Sequence, residues 1–479
     1  MKKSKLFVEN MLVFGFGGVI SKLIPIIMVP IVTRLFPDTT YYGLSDLCST
    51  MLSFGRAIAV MGMYDAMFRL FFDREDDLDH QKRVCSTAIG FTILTSLCVF
   101  LIMVVLQELL SKFVFKDSQY TYLVLMAAVG SAITGTNTIM GAPTRMQNKR
   151  KTYLIVNALV PCIAYSLAIV LILRGYYIIA IPLATIIADT CVIIIYYFLN
   201  RQWFSIKKFD RSILPSLLKM SIPLAPTFLI YWIFSSSDKI MISNLLDVAQ
   251  VGIYTAGAKL GHCSQIIYLA FSGGWSYFAF KTMKDKDQVE TRARILEYLG
   301  ALSFVTGIFV FALCKPLCAW FFDGDYEKGY IVAPYLFMAP LMQMLFQVNA
   351  NQFTIRKQTW LTTVTLLVGA VFNVVLNYFM IPIMGIEGAA LASMLGYIIS
   401  TAIAIAILLH LKLIRLSNRF LLTIIITVGY ILIWRFLLIN NAVISTILAA
   451  AIAMVFFVLY RTDLKAILES LIPGKMRKA

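Results

Sequence analysis

Three cationic residues lie inside long apolar segments of this sequence. Lys22 falls near the middle of the first such segment, Arg56 midway along the second, and Lys259 about two turns into a later one. A charge in the hydrocarbon core of a membrane is costly, so it usually faces a partner or a cavity. Guanidinium and ammonium groups bind phosphate oxygens strongly. We therefore predict that all three cations contact the substrate from one central cavity, and that the substrate carries a phosphate or diphosphate.

Buried acids are the alternative partners for these cations. Asp189, Asp65 and Asp46 also fall within or at the ends of apolar segments. Pairing with one of them would give any single cation a structural role. Only one of these acids, Asp189, is predicted near the membrane midplane. One acid cannot neutralise three cations. Asp189 itself is a second kind of candidate, a proton or sodium site.

Four more charged residues flank the apolar segments on the predicted outer side. Arg34 and Asp38 follow the first segment, and Asp238 and Lys239 occupy the corresponding place about 200 residues later. We predict that ion pairs among them form an outer gate. Exposed pairs of this kind usually contribute little to stability.

The sequence offers little material for a catalytic or metal centre. The eight cysteines form no CxxC motif, the three histidines are far apart, and no Walker A motif occurs. Two acidic motifs, at 323–325 and 73–79, lie in short loops with no globular domain around them. We therefore predict a protein that is not an enzyme, with no catalytic residue, no metal and no cofactor.

Composition shows which elements must position these residues. Apolar residues make up 60% of the 479 residues and charged residues only 14%, whereas a soluble domain carries about a quarter charged residues. A membrane-spanning helix needs about 20 apolar residues, and 14 segments of suitable length occur. They lie near 11–33, 44–68, 84–106, 119–141, 153–173, 177–199, 220–236, 252–276, 298–320, 330–352, 359–382, 385–411, 420–438 and 441–460.

Lysine and arginine predict the orientation of these spans. With both termini in the cytoplasm, 31 of the 42 Lys and Arg residues fall in cytoplasmic segments and 6 in outer loops. This bias follows the positive-inside rule. It also accounts for most of the net charge of +17, so no nucleic-acid partner is predicted.

A short internal repeat divides the chain. Leu35-Phe36-Pro37-Asp38, followed by Gly43, is matched with one gap by Leu245-Leu246-Asp247, followed by Gly252. Both units follow an odd-numbered span, so the two halves are predicted to be parallel and related by an axis along the membrane normal. We predict an N-terminal lobe at 1–200 (spans 1 to 6) and a C-terminal lobe at 201–411 (spans 7 to 12). A helix pair with a basic tail follows at 412–479 (spans 13 and 14).

Several motifs resemble a known transporter family. They include Ile20-Ser21-Lys22, Thr33-Arg34-Leu35-Phe36-Pro37, Asp238-Lys239, Val251-Gly252-Ile253-Tyr254 and Gly388-Ala389-Ala390. The chain resembles bacterial polysaccharide flippases of the multidrug/oligosaccharidyl-lipid/polysaccharide exporter superfamily. The resemblance implies an all-α, inverted-V transporter of two six-helix lobes. It also places the family's cationic cavity on Lys22, Arg56 and Lys259.

The predicted function is that of a flippase in the plasma or inner membrane of a prokaryote. It would move a polyprenyl-diphosphate-linked oligosaccharide, the repeat unit of a surface polysaccharide, from the cytoplasmic to the outer leaflet by alternating access. Its predicted partners are this substrate, membrane lipid, and a polysaccharide polymerase with glycosyltransferases. Three alternatives stay open: a flippase for a lipid-linked peptidoglycan precursor, a cation-coupled drug exporter, and a membrane-embedded polysaccharide polymerase.

Overall fold

The computed structural model describes residues 23–74, 76–282 and 287–471. Helices account for nearly all of this part of the chain, and no strand occurs within it. The predicted all-α class is confirmed.

The helices follow the predicted apolar segments closely. The first nine are α1 (Leu23–Leu35), α2 (Thr39–Val60), α3 (Met63–Phe71), α4 (Leu78–Val105), α5 (Gln107–Phe115), α6 (Thr121–Met146), α7 (Arg150–Leu173), α8 (Ala180–Asn200) and α9 (Leu214–Ser221). The next nine are α10 (Ala225–Leu245), α11 (Val248–Gly261), α12 (Gln265–Lys281), α13 (Gln288–Phe321), α14 (Ala333–Ile355), α15 (Trp360–Met384), α16 (Ile386–His410), α17 (Asn418–Ile433) and α18 (Ala442–Leu471).

Ten helical segments are long and apolar enough to cross a membrane, and two bent helix pairs raise this number to 12 in the described residues. The chain is therefore a multi-pass membrane protein. Within the described residues a helix falls in each of the 14 predicted segments. The first segment is described only from Leu23, and the eighth is divided between α11 and α12 by the turn His262–Ser264. The number 14 stays a prediction.

One of the bent pairs, α2 and α3, forms the second predicted span. The chain bends by 41° between α2 and α3, where Met61 and Gly62 both adopt positive φ. A left-handed residue ends a helix, and glycine adopts this conformation without steric cost. The bend carries Tyr64 and Asp65, at the start of α3, beside the end of α2 that holds Arg56.

The repeat units adopt the same local geometry. Asp38 and Asp247 have nearly identical extended backbones, and their carboxylates accept hydrogen bonds from the first turns of α2 and α11. These N-caps satisfy amide groups that would otherwise lack partners. The two halves thus present matching helices, α2 and α11, to one another.

The two helices meet at a glycine in each. A Cβ added to Gly43 would lie 2.1 Å from the carbonyl oxygen of Val248, and one added to Gly252 would lie 2.0 Å from that of Thr39. Only glycine permits so close an approach of two backbones. The symmetric contact joins the two predicted lobes at their predicted outer ends.

Two arginines attach the last two helices to the preceding bundle. At the predicted outer end, Arg435 pairs with Glu387 of α16, a side chain that is 1% exposed. At the other end, Arg419 pairs with Glu297 of α13 and Asp463 of α18. Both ends of this helix pair are therefore fixed by charge as well as by packing. The domain boundaries at 200 and 411 stay predictions.

Candidate functional site

Arg56 lies where two polar cavities adjoin. It lines a cavity of about 610 Å³ enclosed by α2, α6, α7 and α8, and a second of about 470 Å³ between α2, α3, α6 and α10. Tyr64 and Thr138 also line both. Each volume is within the range of small-molecule sites, about 300 to 1,000 Å³. The side chain of Arg56 is exposed to this space.

Asp189 faces Arg56 in the larger cavity. It is 8% exposed, is attracted by the charge of Arg56, and accepts a hydrogen bond from the side chain of Asn137. The attraction between the two side chains links α2 to α8 within the predicted N-terminal lobe. A purely structural role for Arg56, through a buried acid, stays a prediction.

A second arginine lies at the predicted cytoplasmic end of the same cavity. Arg145, in the last turn of α6, donates to the hydroxyl of Tyr64 over 3.1 Å and lies over the ring of Tyr153. Arg145 belongs to a predicted cytoplasmic segment and was not among the candidate residues predicted from the sequence. The available signal was the spacing of Thr134, Thr138 and Arg145, which places them on one face of a helix.

Trp232 of α10 connects the two predicted lobes beside Arg56. Its indole nitrogen donates to the hydroxyl of Ser53 over 3.0 Å, and its ring centroid is 4.6 Å from that of Phe54. The same residue lines the smaller polar cavity. Trp232 of α10 and Arg56 of α2 thus line the same cavity, one from each predicted lobe.

Lys259 belongs to a different cluster. It lines a separate cavity of about 200 Å³ and is attracted by Asp46 of α2. Asp46 also forms an ion pair with Lys239 over 2.8 Å and accepts a hydrogen bond from Thr255 over 2.9 Å. This cluster joins α2, α10 and α11 near the predicted outer side.

The structure separates two of the three cations that we predicted to face one cavity. Arg56 and Lys259 line different cavities, because Lys259 lies on a helix that meets α2 around Asp46, two to three turns before Arg56 along α2. Lys22 lies outside the described residues.

The predicted outer gate has different partners from those expected. Arg34 pairs with Asp323, which precedes α14, over 2.8 Å, and Lys239 pairs with the buried Asp46. Asp38 caps α2, and Asp238 accepts a hydrogen bond from Tyr254. The ion pairs expected among the four residues are replaced because each of the two cations meets an acid on another element, Asp323 or Asp46. Both cations nevertheless connect the two predicted lobes.

A metal centre has no obvious ligands here. Within the described ranges, no group of three or more His, Cys, Asp or Glu side chains is placed to hold a metal ion. The polar groups of the Arg56 cavity are instead suited to binding an anion or a hydrogen-bonding ligand.

Comparison with known proteins identifies the family. A family model described as polysaccharide biosynthesis protein matches residues 31–271, just over half of the chain. No curated protein sequence matches this chain.

Solved structures show the same fold over most of the chain. The lipid II flippase MurJ in an inward closed conformation has a TM-score of 0.71 at 15% identity, covering 95% of this chain and 100% of that one. An inward-facing multidrug resistance MATE family transporter of the MOP superfamily has a TM-score of 0.65 at 12% identity, with 81% and 96% covered. The Vibrio cholerae MATE transporter VcmN has a TM-score of 0.60 at 13% identity, with 85% and 97% covered. Together with the family match, these likenesses show that the chain belongs to the polysaccharide biosynthesis protein family and has the fold of MOP superfamily transporters.

Proposed function

We propose that this protein is a flippase for a polyprenyl-diphosphate-linked oligosaccharide, moving it from the cytoplasmic to the outer leaflet by alternating access. The observation that carries the proposal is the position of Arg56, which lines a cavity whose predicted cytoplasmic end holds Arg145. Two guanidinium groups along one path suit a diphosphate, which accepts forked hydrogen bonds. Membership of a polysaccharide biosynthesis family supports a glycan headgroup.

The arrangement of charges supports a simple sequence of binding steps. The diphosphate meets Arg145 first and then competes with Asp189 for Arg56. Once Arg56 binds the diphosphate, Asp189 lacks its counter-charge, and a buried carboxylate without a partner takes up a proton or a cation. Asp189 would then act as the proton or sodium site that couples transport to an ion gradient.

Lys259 enters this proposal in another conformation. In the present structure it lies beside Asp46 rather than in the two adjoining cavities around Arg56, which we together call the headgroup cavity. Rotation of the lobes that separates α2 from α11 would free Lys239 and Lys259 together. Both ammonium groups would then face the space through which the headgroup leaves, and Arg34 and Asp323 would part at its mouth.

The test is leaflet transfer of a fluorescent polyprenyl-diphosphate disaccharide in vesicles that contain the purified protein. Arg56→Ala should weaken substrate binding about 10- to 100-fold, because a hydrogen bond to a charged group contributes about 1.5 to 3 kcal/mol. Arg56→Lys should retain part of the activity. Lys22→Ala and Lys259→Ala should also slow transfer, whereas Arg174→Ala, which removes an exposed loop charge, should not. Full activity in the Arg56, Lys22 and Lys259 variants alike would refute the role of these cations.

A second candidate function is transport of a lipid-linked peptidoglycan precursor, favoured by the likeness to the lipid II flippase MurJ. Complementation of two strains separates the two functions: one strain is depleted of that activity, and the other lacks its surface-polysaccharide flippase. Growth supported by this protein would favour the precursor, and restored surface polysaccharide alone would favour the oligosaccharide lipid.

A further inference from the structure

An apolar groove runs between the helices beside the headgroup cavity. Its volume is about 490 Å³, and its walls come from α2, α4 and α5 on one side and from α10 and α15 on the other. The side chains that form these walls are almost entirely hydrocarbon. They include Phe54, Ile102, Leu106, Phe113, Ile240 and Val374.

The groove and the headgroup cavity share one residue, Trp232. On α2, Phe54 and Gly55 line the groove, whereas Ser53 and Arg56 line the polar cavity. Adjacent faces of one helix therefore present hydrocarbon on one side and a guanidinium group on the other. The indole of Trp232 forms the partition, with its nitrogen bonded to Ser53 and its ring packed on Phe54.

The groove extends from the Arg56 level toward the predicted outer side. On α4 it is lined by the last two turns, beginning at Val99, and it continues along α5 to Phe113. The headgroup cavity extends the other way, to Tyr64 and Arg145. A molecule with its polar end at Arg56 would have its apolar part level with the outer half of the membrane.

We propose that this groove binds the polyprenyl tail of the transported lipid while its diphosphate contacts Arg56. The inference deepens the proposed function and rests on it. A phospholipid keeps its headgroup at the membrane surface, whereas a lipid whose diphosphate contacts Arg56 has its polar end beside Trp232, from which its tail can enter the groove. Because the surrounding lipid is as apolar as the groove, shape and packing select the tail, and the hydrophobic effect contributes little.

The experiment uses a polyprenyl-diphosphate disaccharide with a photoreactive diazirine on its tail. After illumination of vesicles that contain the full-length protein, labelled peptides are mapped by mass spectrometry. We expect labels on α4, α5 and α15, and their loss when an excess of the unlabelled lipid is present. Ile102→Trp, which fills the groove from a position 56% exposed to lipid, should abolish this labelling. The neighbouring Leu101→Trp, 52% exposed and outside the groove, should leave it unchanged.

Val374→Trp fills the same groove from the opposite wall and checks that the result does not reflect one misfolded variant. Labels confined to α17 and α18, or labels that excess unlabelled lipid does not displace, would overturn the inference while leaving the proposed function intact. Groove labelling without transfer in the wild-type protein would instead overturn the proposed function and retain the groove as a binding site for the tail.

Discussion

Asp46 has three partners on two other helices. It pairs with Lys239 of α10, accepts a hydrogen bond from Thr255 of α11 and attracts Lys259. Asp46 and Lys239 are 8% and 16% exposed, so both charges are removed from water. A buried ion pair is weak evidence for stability, but removing one partner leaves a charge without compensation. Any movement that separates α2 from α10 and α11 must break this pair.

We predict that Asp46→Asn lowers the free energy of unfolding by about 3 kcal/mol, because Lys239 then keeps its charge in a buried site without its close counter-ion. The measurement is thermal unfolding in detergent. Asp38→Asn is the control, because asparagine caps a helix as well as aspartate does. Adding Lys239→Met to Asp46→Asn should recover much of the loss. Equal unfolding temperatures for the two single variants would contradict the prediction.

Helices α2 and α11 act as the seam between the two predicted lobes. Their N-caps match, and their glycines bring the backbones into direct contact at one end. At the other end, α2 stops at Met61 and Gly62, and the bend opens space for the cavities around Arg56. The same pair of helices thus closes the molecule at the predicted outer side and leaves room at the predicted cytoplasmic side.

We predict that Gly252→Ala forces α2 and α11 apart, because the new methyl group would overlap the carbonyl oxygen of Thr39. The readout is labelling by a water-soluble maleimide of a cysteine introduced at Ser45, which is 1% exposed, in a background without native cysteines. Labelling should be faster in Gly252→Ala. In the control Gly429→Ala, where nothing lies within 4 Å of the added atom, the rate should stay at the wild-type level. Equal rates in both would show that the seam tolerates the methyl group.

At the scale of the whole molecule, the loop charges and the contacts between the lobes distinguish the same two sides of the protein. The side rich in Lys and Arg is the side toward which the Arg56 cavities extend, through Tyr64 and Arg145. The opposite side holds the α2 and α11 contact and the pair Arg34–Asp323. In the predicted orientation these cavities lie toward the cytoplasm, the side from which the proposed substrate would enter.

We predict that the loop between α8 and α9 is cytoplasmic and the turn after α5 is external, because the first is rich in Lys and Arg. Single cysteines at Ser205 and Ser118, both exposed, test this in intact bacterial cells with a membrane-impermeant maleimide. The cysteine at 118 should react at once, and the cysteine at 205 only after the membrane is permeabilised. The reverse pattern would invert the proposed direction of transport.

The sequence by itself determined the membrane class, the positions of the helices and the matching units around Asp38 and Asp247. These features depend on hydropathy and on capping residues, which act over a few neighbouring residues. Arg56 also stood out as a candidate, because a charge within an apolar segment differs from its surroundings.

Only the tertiary structure decided which charges meet. Lys239 pairs with Asp46 and Arg34 with Asp323, each with a residue far away in the sequence, and Arg56 and Lys259 face different cavities. Arg145 entered the site because the bend at Gly62 brings Tyr64 to the end of α6. Such pairings depend on which helix faces come together and on how far each helix extends before it bends. The hydropathy pattern of the sequence predicts neither.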